Sequence, residues 1–193
     1  YRADDALWLF PTVYKYISET GDMAFLDEVI PFADKEEGTV YEHLKRAVDF
    51  SMNHLGVHGM PAGLYADWND CLRLGKAGES SFVAMQFYYA MTILKKFAEY
   101  KGDTDYIAYL EEKQKQQGDV INEFCWNEDR FIRGFTEAGE TIGKRTDNEA
   151  NMWLNPQSWS VISGLATEEQ TEKAMENVYE KLNTKFGAIL MDP

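Results

Sequence analysis

Apolar residues recur along this chain at three- and four-residue spacing, and the pattern predicts a succession of helices. Over 5–20, Leu7, Phe10, Tyr14 and Ile17 form one stripe, and Gly21 is placed to end the helix in a left-handed conformation. Pro11 offers an alternative start. A shorter helix follows Asp22 and stops before Pro31. Thr39 and Glu42 have the spacing of a capping box, and Val40, Leu44, Ala47, Val48 and Ser51 then follow on one face toward Gly56. From Ser80 or Ser81 to Gly102 the chain is apolar nearly all round for four turns. It carries Phe82, Val83, Met85, Phe87, Tyr88, Met91 and Leu94 on too many sides for one partner to cover. Asp103 or Thr104 caps a fifth helix reaching about Phe124, where Gly118 offers a kink. The alternation over 131–143 around Ala138-Gly139 predicts a small β-hairpin. A polar loop over 144–156 leads to a helix from 158 to 163, and a last amphipathic helix spans 167–182 with Glu168 and Glu169 at its N-terminus. The predicted fold class is all-α, with long loops and one hairpin.

The long loops, 57–78 and 130–157, are the unusual feature. Loops of that length in a globular domain are functional or disordered. Trp68, Trp126, Trp153 and Trp159 sit in or beside them, and disordered segments are poor in tryptophan, so order is expected. The first loop contains GLYADWNDCLRLGKAG, where Asp67 and Asp70 bracket Trp68 and Asn69. A carboxylate beside an indole in a partly desolvated cleft has its pKa raised, as a general acid near neutral pH requires. The face of Trp68 would suit the CH side of a sugar ring. The alternative is an Asx-turn at Asp67 with Trp68 plugging the core. A second cluster opens the chain: Arg2, Asp4, Asp5 and Trp8 read either as a site or as an acidic helix N-terminus. In a third, Asn155, Gln157 and Trp159 suit hydroxyl recognition or loop hydrogen bonding equally well.

Charge and composition narrow the chemistry further. With 19 basic and 33 acidic residues the formal charge is −14, which argues against nucleic-acid and anionic-membrane partners. No apolar run reaches the roughly 18–20 residues of a membrane span. Cys71 and Cys125 match no metal spacing and form no disulfide framework, which favours a reducing, cytoplasmic setting. His43, His54 and His58 have no metal-ligand spacing, and neither a phosphate-binding glycine loop nor a G-x-S-x-G elbow is present. No metal or cofactor is expected. The chain opens without Met and reads as a piece of a longer polypeptide.

Three motifs in this order, RADDALWL with YISETGD, GLYADWNDCL with GES, and WLNPQSWSVISG, resemble the cellobiose and chitobiose phosphorylases of glycoside hydrolase family 94. The resemblance spans nearly the whole chain. It implies an (α/α)6 barrel of which residues 1–193 are the central portion, incomplete at both ends and inactive alone. In such a fragment, apolar helix faces would lie open at two edges. It also implies inverting phosphorolysis of β-linked gluco-oligosaccharides of the cellobiose or cellodextrin type, giving α-glucose 1-phosphate with inorganic phosphate as co-substrate. By the same resemblance Asp70 is the general acid and Trp68 lies at the donor sugar; Asp67, Arg2, Asp5, Gln157 and Trp159, from the three clusters, are the further candidates for substrate binding. The parent protein would be a homodimer. A single acid is chemically sufficient, because phosphate is already an anionic nucleophile, whereas an inverting hydrolase needs a second carboxylate to activate water. That hydrolase, or a non-catalytic sugar-binding helical module, is the alternative.

Overall fold

The computed structural model describes residues 2–193, and several of its helices begin or end where the sequence supplies caps. Helix α1 spans Leu9–Thr20 behind a 3-10 turn at Asp5–Trp8, and it ends on Gly21 at a left-handed φ of 71°. Pro11 falls in its first turn, where a missing N–H costs nothing, so it does not set the start. The helix expected after Asp22 is only a 3-10 turn, Met23–Asp27. A strand, β1 (Val29–Pro31), follows it and pairs antiparallel with β2 (Glu37–Thr39). Helix α2 (Val40–Met52) carries the capping box: Glu42 N–H donates to Thr39 Oγ1 (3.1 Å) and Thr39 N–H to Glu42 Oε2 (2.7 Å). All five residues predicted for its inner face are buried. It stops at Met52, short of Gly56, because the next residues turn back into a bridge between Leu55 and Pro61.

Helix α3 (Ser81–Lys101) is central. It packs against α1, α2, α4 (Thr104–Cys125) and α5 (Leu154–Ile162). Phe82, Val83, Met85, Phe87, Met91 and Leu94 are all fully buried. Each gains roughly 1.5–3 kcal/mol from leaving water. One partner could not cover these residues, and four neighbours enclose them. Exposed apolar side chains occur on strands and loops, at Val29, Val57 and Phe186, and also on helices, at Leu9, Tyr100 and Ile162. Helix α4 runs unbroken through Gly118. That glycine admits the Tyr88 ring, which a Cβ there would approach to 3.2 Å.

The hairpin region is more finely divided than the alternation suggested. Strands β4 (Trp126–Asn127) and β5 (Arg130–Phe131) form one tight pair, and β6 (Gly134–Phe135) and β7 (Thr141–Ile142) form another around Gly139. A short strand before α3, β3 (Glu79–Ser80), joins β6 to complete a three-stranded sheet. Helix α5 begins four residues earlier than predicted, with Pro156 tolerated in its first turn. Helix α6 (Glu168–Asn177) has a second capping box, Thr167 with Gln170. The chain then loosens into a π turn at Val178–Leu182 before the closing strands β8 (Asn183–Thr184) and β9 (Gly187–Ala188). Among the described residues, no helix is long and apolar enough to cross a membrane.

Candidate functional site

The Asp-Trp-Asn-Asp loop is closed at its neck and propped from two sides. Ala62 bridges Glu79, Gly63 N–H donates to Gly78 O (2.5 Å) and Leu64 N–H to Lys76 O (3.0 Å). The start of the chain lies alongside, through an Arg2–Leu64 bridge and a bond from Ala3 N–H to Ala66 O (3.0 Å). The β6–β7 hairpin reaches over from the other side. Glu137 N–H donates to Leu74 O (2.6 Å), and its carboxylate accepts from Lys76 N–H (3.0 Å). Loops that sit far apart in sequence are thus fastened to one another by backbone bonds.

Within this frame the two aspartates have opposite surroundings. Asp67 is buried, paired to Arg133 (2.6 Å), and accepts from Asn69 N–H at 2.9 Å in the Asx-turn foreseen for it. It therefore lies beneath the protein surface. Asp70 is open: its side chain is 60% exposed and lies 3.0 Å from Arg2 Nη2. The desolvated setting expected for Asp70 is not found here, because Trp68 turns outward and leaves the carboxylate to water and a guanidinium. Trp68, itself 49% exposed, is no core plug. Arg2, Asp5 and Asp70 line one cleft of about 850 Å³, together with Tyr65, Arg73 and Lys76.

Gln157 and Trp159 do not join them. Gln157 is fully buried, its Oε1 accepting from Phe131 N–H (2.8 Å) and its Nε2 donating to Phe131 O (2.7 Å) and Trp153 O (3.1 Å). With its amide bonded to backbone at both atoms, it straps β5 to α5. Trp159 packs edge-on against Phe82 (5.5 Å), Trp8 (5.7 Å) and Tyr89 (6.2 Å), joining the two halves of the core.

Asp4 is buried too. It accepts from the Trp8 indole (2.9 Å) through one oxygen, while the other has no partner among the described residues. Burial pushes its pKa up, against the opposing effect of the Trp8 hydrogen bond, and the nearby Asp67 and Asp5 charges add to the rise. A carboxyl with a raised folded-state pKa binds its proton more tightly folded than unfolded. Its charge therefore costs stability above that pKa, and the cost is relieved as pH falls through it toward the ordinary value. Asp4→Asn should be at least as stable as wild type at pH 7, with the difference in melting temperature shrinking as the pH is lowered toward 4. A difference that widens on acidification would show Asp4 to be held as the carboxylate.

Arg133, Tyr65, Arg73 and Lys76 are the residues that sequence reasoning did not find. One signal for Arg133 was available: a charge between Ile132 and Gly134 in an otherwise apolar strand region. Glu79 was also overlooked. It is fully buried and accepts from the backbone N–H groups of His58 and Met60 (both 3.0 Å) and pairs with His58 Nδ1 (2.5 Å), so it anchors the preceding turn. Both cysteines are free, and burial pushes the Cys125 thiol far up, which removes it as a nucleophile at neutral pH. Among the described residues, no group of three His, Cys, Asp or Glu side chains is arranged to hold a metal ion.

An aromatic- and carboxylate-bearing loop, carried on helices beside an open cleft, places the chain in the class of helical domains with a polar surface cleft. Within that class the chain belongs to the glycosyl hydrolase 94 superfamily, whose catalytic domain matches residues 1–193. It is 39% identical over 193 residues to the N,N'-diacetylchitobiose phosphorylase of Vibrio proteolyticus, covering 99% of this chain and 24% of that protein. It is 34% identical over 195 residues to the solabiose phosphorylase of Paenibacillus borealis, covering 99% and 25%. The chain thus spans about a quarter of the length of these relatives. Among solved structures, the GH78 family rhamnosidase of Bacillus sp. GL1 superposes with a TM-score of 0.69 at 14% identity. The match covers 88% of this chain and 16% of that one, a likeness of fold alone.

Proposed function

We propose that this chain is the part of a glycoside phosphorylase that carries the general acid, on an (α/α)6 barrel completed by sequence outside it. The reaction is inverting phosphorolysis of a β-linked gluco-configured oligosaccharide, giving α-glucose 1-phosphate or its N-acetylated counterpart. The observation that carries this reading is the division of labour in the Asp-Trp-Asn-Asp loop. Asp67 is locked below, while Asp70 lines an open cleft and Trp68, two residues before it, stands at the surface. Asp70 protonates the glycosidic oxygen, Trp68 supports the donor ring, and phosphate attacks the anomeric carbon from the opposite face. Arg2 releases Asp70 when the glycosidic oxygen takes its place, and Arg2 and Asp5 then turn to substrate hydroxyls. The names of the phosphorylases it is similar to support phosphate as co-substrate, and they differ in the disaccharide.

The hydrolase reading has one observation in its favour, since Asp5 lines the same cleft as Asp70 and would have to serve as the base. The deciding experiment assays the full-length protein with a panel of β-linked disaccharides, N-acetylated ones included, with and without phosphate. Turnover that needs phosphate and yields sugar 1-phosphate is expected. Phosphate-independent release of free sugar, lost in Asp5→Asn, would establish the hydrolase instead.

Trp68→Ala should weaken donor-sugar binding roughly 2- to 12-fold, the equivalent of about 0.5–1.5 kcal/mol of aromatic contact. Because the indole is half exposed, the melting temperature should hardly move. Inhibition constants for a donor-site sugar, measured beside thermal melts, separate the two effects.

A further inference from the structure

Asp67 places three hydrogen bonds on two oxygens, and each leads to a different part of the molecule. Oδ1 accepts from Asn69 N–H (2.9 Å), which fixes the turn that separates Trp68 from Asp70. Oδ2 accepts from Ser80 Oγ (2.7 Å) and from Arg133 Nη2 (2.6 Å). Arg133 closes the ring, because its Nη1 donates to the same Ser80 Oγ (2.8 Å). Ser80 in turn caps α3 by accepting from Val83 N–H (3.3 Å). Arg133 and Asp67 are both almost inaccessible to water, at 1% and 3% side-chain exposure. The guanidinium also sits 5.7 Å from the centre of the Trp153 ring, and backbone bonds fix its residue in the sheet through Arg133 N–H to Ile142 O (2.8 Å). A buried arginine with a rigid backbone and two directed bonds is a reference point, and the loop's geometry is measured from it.

We propose that Arg133 is the positioning residue of the Asp-Trp-Asn-Asp loop. It holds Asp67, Asp67 holds the Asn69 amide, and the turn so fixed sets where Asp70 and Trp68 stand. Arg133 touches no substrate. The role rests on the function proposed above, and it has a readout independent of turnover, the hydrogen exchange of the Asn69 amide.

The test uses the full-length enzyme. In Arg133→Met the Asn69 amide should exchange at least about tenfold faster, as expected for losing a charge-assisted bond. Turnover should fall on the order of 10²-fold, because a displacement of about 1 Å in a reacting group is worth that much. Arg133→Lys, which keeps the charge, should recover part of both. Leu26→Ala, a core change far from the loop, should lower the melting temperature and alter neither. Should Arg133→Met fail to fold, Ser80→Ala keeps the ion pair and removes one bond to Asp67, so exchange at Asn69 should still quicken severalfold. Wild-type exchange and turnover in folded Arg133→Met, unchanged exchange in Ser80→Ala, or equal loosening by Leu26→Ala would each overturn the assignment. Asp70→Asn separates the two proposals. It should lower turnover by about 10²- to 10⁴-fold or more with Asn69 exchange unchanged, and if it keeps near-wild-type activity while Arg133→Met still loosens the loop, the acid assignment fails and the positioning role stands.

Discussion

Asp70→Asn in the full-length protein should lower turnover of ordinary disaccharides by 10²- to 10⁴-fold or more and leave the fold intact. General-acid assistance is worth roughly that range, and a sugar alkoxide is a poor enough leaving group to place the loss at its upper end. The structure supplies the second half of the expectation. Asp70 is exposed and makes an ion pair with Arg2 at the surface, and such pairs contribute only about 0–1 kcal/mol. Melting temperature and the circular dichroism spectrum should therefore match wild type. A substrate with an activated leaving group, such as a nitrophenyl glucoside, needs less proton assistance and should retain most of its rate. Near-wild-type turnover of an ordinary disaccharide would remove Asp70 from the mechanism.

Gly134→Ala should do comparable damage by another route. Gly134 has a φ of 154°, and a Cβ there would fall well inside contact distance of the Glu79 carbonyl oxygen. The obstacle is backbone in the paired strand, so no side chain can swing aside. The β3–β6 seam must open, and with it the end of the loop neck that Glu79 forms. A loss of about 3 kcal/mol or more in stability is expected, at the upper end of overpacking effects. Activity should fall as well, although every residue of the cleft is unchanged. Gly139→Ala is the control. It too has a positive φ, 87°, but open space around it, and should cost about 1 kcal/mol or a little more.

Local signals carried most of the fold. The α2 capping box is readable because Thr39 and Glu42 lie three residues apart, and α3 is readable because its apolar residues leave no polar face. What sequence could not show is which side of a loop faces inward. Asp67 and Asp70 look alike in sequence, yet one is buried against Arg133 and the other stands in water. Gln157 looked like a hydroxyl-recognition residue because an amide beside tryptophans has the same appearance whether it meets a sugar or the Phe131 backbone. The single expected hairpin proved to be two, because the alternation of apolar residues continues through Ile132 and Arg133, where the chain changes partners. Periodicity reports that a residue is extended and says nothing of which strand it meets.

The distance along the chain between Asp67 and Arg133, 66 residues, also sets an order of events during synthesis. At the usual pace of roughly 5–20 residues per second, Asp67 leaves the ribosome about 3–13 s before the guanidinium that neutralises it. During that interval, burying the aspartate would place an uncompensated charge in the interior, so the nascent loop stays hydrated and open. Helices α3 and α4 are made in the meantime and can form from their own short-range contacts. The Asp-Trp-Asn-Asp loop is thus expected to settle after Arg133 has been made, on helices already present to receive it.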